Sequence, residues 1–231
     1  MSENVLMWLE IGFDLAYLIT IWVLLILMFT RRGAVLAENQ GFARLLRWMF
    51  LLLAIGDTGH VGFRVLAYTQ GPLENSPLLV GIGSLATAYT VTVFYMIFVE
   101  VWRVRFDKKH GWFTWLLLAV GLIRMGMMAL PGNHWGQVMP PQPMGILRNI
   151  PLMVQGVGLL GLILWSAWQA RDKTFLWIGF CVFLSYLFYT PVILFVNQIP
   201  LLGMLMMPKT LAYLAIAFIA LISFYPKKSI G

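Results

Sequence analysis

Seven stretches of this chain carry almost nothing but apolar side chains. Each is close to the ~20 residues that an α-helix needs to cross a bilayer. They run over about 5–30, 43–68, 78–102, 112–131, 146–169, 174–197 and 202–225. In lipid the backbone must satisfy its own hydrogen bonds, and a helix does so within one segment. The pattern predicts an all-α fold: a polytopic membrane protein built as one seven-transmembrane-helix bundle over 1–231. Composition agrees, since 61% of the 231 residues are apolar and 11% are charged. Soluble domains sit near 45–50% and about 25%. A soluble enzyme and a disordered chain are therefore excluded. The connections are short, and no phosphate-binding glycine loop, GxSxG or HExxH motif is present.

The net charge of +7 would suit nucleic acid if it were concentrated on one face. Instead the basic residues fall in alternate connections. Arg31, Arg32, Arg44 and Arg47 lie around the first, and Arg103, Arg105, Lys108 and Lys109 around the third. Arg171 and Lys173 lie at the fifth, with Lys227 and Lys228 after the seventh run. The other connections, around Thr69–Pro77 and Pro131–Pro143, hold almost none. Cytoplasmic loops carry this excess. The expectation is a multi-pass protein of the cell inner (plasma) membrane, N-terminus outside and C-terminus cytoplasmic, with membrane lipids and not nucleic acid as partners. The first run contains Glu10 and Asp14 and ends in Arg31-Arg32, which reads as a retained helix and not a cleaved signal. The single cysteine, Cys181, permits no intrachain disulfide and no cysteine metal site.

Four basic residues break the alternation: Arg64, Arg124, Arg148 and Lys209 all map to the outer half of their helices. Three acids, Glu10, Asp14 and Asp57, join them there. At 1.5 Å per residue Asp57 lies about 16 Å from the outer end of its helix. A charge at the bilayer centre costs at least about 2.5–3.5 kcal/mol, so such groups should face the bundle and find partners. Asp57, His60 and Arg64 stand at i, i+3 and i+7 on one helix face. Glu10, Asp14 and Tyr17 share a face of the first helix. Tyr89, Thr92 and Tyr95 make a polar strip on the third. Tyr186 and Tyr189 precede Pro191 on the sixth, and Lys209 follows Pro208 on the seventh.

These features converge on a polar pocket in the outer half of the bundle. The leading expectation is binding, and transport, of a small or amphiphilic molecule with an anionic group. Its ligand-binding set is Glu10, Asp14, Asp57, His60, Arg64, Tyr89, Arg124, Arg148, Tyr186, Tyr189 and Lys209. The cations would hold the anion, and the acids would keep them paired when the site is empty. An alternative is an intramembrane hydrolase or transferase acting on a lipid-borne substrate, with Asp57 and His60 as catalytic acid–base groups. Pairing of Asp57 with Arg124 or Lys209 merely to fix helix register is a further reading. No metal is expected; His60, Asp57 and Asp14 are the nearest approach to a ligand set.

Lys209 stands in the last of seven helices of an N-outside chain, and in that topology the protein resembles the retinal proteins. The resemblance implies a sensor or photoreceptor with retinal bound at Lys209. It departs from the microbial pattern at Leu205, where that pattern has an acid, and the third helix has no mid-membrane carboxylate. Seven-helix metal hydrolases of the alkaline ceramidase type share the helix number, but the paired histidines of their last helix are missing.

Overall fold

The computed structural model describes residues 3–138 and 141–227, so Lys228 lies outside the described residues. Among the described residues the chain is helical throughout and has no strand. The helices are α1 (Glu3–Thr30), α2 (Gln40–Thr69), α3 (Pro77–Arg105), α4 (Trp112–Met128), a single turn α5 (Met144–Leu147), α6 (Ile150–Gln169), α7 (Lys173–Phe195) and α8 (Met206–Phe224). Six helical stretches are long and apolar enough to cross a membrane: Met7–Thr30, Ala37–Thr69, Pro77–Arg105, Met144–Gln169, Lys173–Phe195 and Pro200–Phe224. α4 is apolar but has 17 residues, fewer than the other six. The bundle is compatible with a multi-pass integral membrane protein.

Proline accounts for most differences from the apolar runs. The fourth run continues to about 131, yet α4 stops at Met128, because Pro131 holds Leu130 extended (ψ 138°). The fifth run opens with the turn α5, and the long helix starts at Ile150 with Pro151 in its first turn, where the missing N–H is tolerated. The seventh begins as a 3-10 stretch, Pro200–Leu205, and becomes α-helical at Met206, so Pro208 also falls in a first turn. Asp172 starts α7 by accepting a hydrogen bond from the Phe175 N–H (3.1 Å).

Consecutive long helices pack side by side, and α1 packs against α8, so the seven close into a ring; α3 also reaches across to α6. The α2–α3 pair has the most extensive contact. Small residues make it possible: Gly56 faces Thr90, Gly59 faces Ala86, and Gly83 lies against the backbone of His60. The end of the ring nearest the basic connections, here the basic end, is filled with aromatic side chains. Arg105 is set among them, 5.0, 5.6 and 5.3 Å from the rings of Phe42, Phe175 and Phe224. Its guanidinium donates to the Asp172 carboxylate (2.9 and 2.8 Å) and to Asn39 Oδ1 (3.0 Å). Just past α8, Tyr225 donates to the Ala43 carbonyl (2.6 Å). Polar side chains gather in the opposite, far half.

Candidate functional site

Acids occupy one side of the far half. Asp57 lies twelve residues before the end of α2, about 18 Å along the axis. Its Oδ2 accepts a hydrogen bond from Tyr17 of α1 (2.5 Å), and its Oδ1 accepts one from Thr87 of α3 (2.8 Å). The carboxylate therefore ties three helices. Two turns farther out, Arg64 Nη2 pairs with Glu10 Oε1 at 2.8 Å and joins α1 to α2 again. Asp14 is half-buried between these levels and has no hydrogen-bond or ion-pair partner among the described residues. His60 Nδ1 and Arg64 Nε are buried without an acceptor or donor opposite them. Native proteins pair nearly all such groups with protein, water or ligand.

Bases occupy the other side. Arg124 of α4 is 3% exposed and donates all around itself. Nε reaches the Arg148 carbonyl (3.1 Å), Nη1 reaches the Ala88 carbonyl (2.9 Å) and Thr92 Oγ1, and Nη2 reaches Asn149 Oδ1 (3.2 Å). The same Asn149 oxygen accepts from Tyr189 of α7 (3.2 Å). Lys209 of α8 is 9% exposed; its Nζ lies 4.1 Å from the Tyr189 ring centre and 5.7 Å from that of Tyr213. A cation over a ring face is stabilised by the ring quadrupole. Arg148 lies 4.3 Å over the Trp135 ring, and its Nη1 is buried with no partner. Tyr213 shares a hydrogen bond with Tyr95 (2.9 Å). Tyr186 donates to the Leu152 carbonyl (3.0 Å) and fills the space left by Gly156, where a Cβ would stand 1.7 Å from its Oη.

Apart from Arg64, which pairs with Glu10 on the acidic side, the cations of the far half have no carboxylate in contact among the described residues. Four ion pairs occur among the described residues: Arg64–Glu10, Arg103–Glu100, Arg105–Asp172 and His110–Glu100. None includes Arg124, Arg148, Lys209, Asp14 or Asp57. Among the described residues no three His, Cys, Asp or Glu side chains gather as a metal site, so His60, Asp57 and Asp14 do not assemble one.

Of the residues singled out in the sequence, the fold brings Glu10 to Arg64, joins Arg124 and Tyr189 through Asn149 beside Arg148, and sets Lys209 over the Tyr189 ring. Tyr89 instead donates to the Met125 carbonyl (3.1 Å) and ties α3 to α4. Thr87, Asn149 and Trp135 complete the arrangement and were not in the set read from the sequence. A threonine, an asparagine before a helix start and an interfacial tryptophan are ordinary in membrane chains, and no spacing marked them. The order of charge groups was legible; their neutral partners were not. Compared with protein-family models, with curated proteins and with solved structures, the chain matches none.

Proposed function

We propose that the chain is a seven-helix protein of the inner (plasma) membrane, N-terminus outside and C-terminus cytoplasmic. We read its far half as a chamber that binds and transports a small or amphiphilic molecule with an anionic group. The observation that carries this reading is the cluster of Arg124 and Lys209, both buried, with the half-buried Arg148: none has an acidic partner in contact among the described residues, and Arg148 Nη1 is buried without any acceptor. Cations in that state need compensation, and an anion supplies it. Lys209 and Arg148 hold the anionic group; Tyr189, Tyr213 and Trp135 line its apolar part. Arg124 positions Arg148 and Asn149 through their backbone and side-chain oxygens. Asp57, with Asp14 and Glu10, balances the cations when the site is empty and carries a coupling proton. In support of a seventh crossing, α4 fills the ring between α3 and α6. Its 17 residues rise about 26 Å against a ~30 Å hydrocarbon core, a mismatch that bilayers accommodate.

The test is a thermal-shift screen of the purified protein against carboxylates, phosphate esters and sulfonates, followed by uptake of any stabilising compound into proteoliposomes under a pH gradient. Lys209→Met and Arg148→Gln are expected to abolish both stabilisation and uptake while the ligand-free protein melts as before. Uptake that survives both substitutions would end the proposal. The orphaned His60 Nδ1, one turn from Asp57, favours a second reading as an enzyme on lipid-borne substrates. Headgroup release from mixed lipids that Asp57→Asn abolishes, with no solute uptake, would decide for it.

A further inference from the structure

The α6–α7 turn, at the opposite end from the anion chamber, has a charge arrangement of its own. Ala170–Asp172 is a tight reversal. The Ala170 N–H donates to Ser166 (2.9 Å), the Arg171 N–H to Trp168 (3.2 Å) and the Asp172 N–H to Ala167 (2.8 Å), all at the carbonyl. Arg171 is held there in the left-handed region, φ 52°. The Asp172 to Ala167 and Arg171 to Trp168 bonds are those of a Schellman motif, which ends α6 with its left-handed residue at Arg171. The turn aims the Arg171 side chain outward beside Lys173.

Asp172 does not neutralise them. Its Oδ2 takes both guanidinium contacts from Arg105, and its Oδ1 caps α7. Arg171 and Lys173 are exposed and have no carboxylate partner among the described residues. Both line two adjoining open depressions of the surface, one bordered by Arg105, Phe106 and Asp172 and the other by Trp168, Gln169 and Leu176. A cationic mouth therefore runs into an apolar wall. Trp168 and Trp177 lie on that outer surface, 66% and 61% exposed, as side chains at headgroup depth do.

We propose that this cleft is a binding site for an anionic phospholipid, its phosphate held by Arg171 and Lys173 and its acyl chain laid along Trp168 and Leu176. The apolar wall that continues from the cationic mouth argues for a lipid and not a free phosphate. Two unbalanced positive charges favour a headgroup with net negative charge over a zwitterionic one, whose own cation would meet them. The inference rests on the membrane-spanning reading and is independent of the anion chamber.

The experiment is native mass spectrometry of the full chain in detergent, titrated separately with phosphatidylglycerol and phosphatidylcholine of the same acyl chains. The wild type is expected to retain phosphatidylglycerol about tenfold better. Arg171→Gln with Lys173→Gln should reduce it to the phosphatidylcholine level. Lys108→Gln with Lys109→Gln removes equal charge from the same end and should leave the preference intact. Quenching of tryptophan fluorescence by brominated phosphatidylglycerol, greater in the wild type than in Trp168→Leu, reports the same contact in intact protein. A preference unchanged in the Arg171/Lys173 variant overturns the proposal, as does equal loss in the Lys108/Lys109 variant, which would show charge without a site.

Discussion

Arg124 is surrounded by four oxygens, none of them a carboxylate, and this decides how its loss is felt. Removing the guanidinium leaves the carbonyls of Ala88 and Arg148 and the Asn149 oxygen without that donor. Arg124→Met is expected to destabilise the fold by about 3 kcal/mol, read as earlier unfolding in a denaturant series. Arg124→Lys should recover little, because one ammonium cannot reproduce a fork that spans three elements. A residue that only met a ligand would show neither effect. The contrast also shows what the sequence can reveal at this scale. Asp57, His60 and Arg64 align by helical period alone, so their shared face was legible. Two of the four partners of Arg124 are backbone carbonyls, which every residue carries and no pattern announces. Asp57 reads in the same way: its depth was calculable, while the hydroxyls of Tyr17 and Thr87 that hold it come from helices whose rotation the sequence does not give.

At the scale of helices, contact depends on missing side chains. Gly156 on α6 leaves room for Tyr186 of α7, whose hydroxyl reaches the Leu152 carbonyl on the far side of that gap. Gly156→Ala is expected to push the ring out, break that hydrogen bond and cost about 1–3 kcal/mol of stability. Pairing it with Tyr186→Leu should recover part of the loss, and a double-mutant cycle on melting measures the coupling. The apolar runs missed the helix limits that proline sets: they ran to about 131, opened at about 146 and opened at about 202, whereas α4 stops at Met128, α6 starts at Ile150 and the last crossing starts at Pro200. The unwinding to a 3-10 stretch before α8 was not legible either, because Leu201 to Leu205 is as apolar as any helix. Apolarity reports on lipid, and it is indifferent to how tightly the backbone is wound.

For the whole molecule, the sequence predicted seven crossings, and the decisive element is α4. Cys181 is the sole cysteine, so Cys181→Ser provides a background free of thiols. Single cysteines in place of Glu74 and Gln137 are expected to react with an impermeant maleimide in intact cells. Cysteines at Lys108 and Lys173 should react only after permeabilisation. Labelling of Lys108→Cys and Gln137→Cys from the same side would mean that α4 does not cross, and would reverse the orientation of every helix after it.

The contact between α1 and α8 has a consequence for how such a protein is made. The wall that begins with α1 is sealed only by α8, which is made after all the helices with which it closes the ring. Until α8 is made, Tyr17 and the Asp57 carboxylate that it bonds border a gap on the side that α8 closes in the finished ring. A nascent chain halted before Pro200 is a broken palisade, with its most hydrophilic timber turned toward oil.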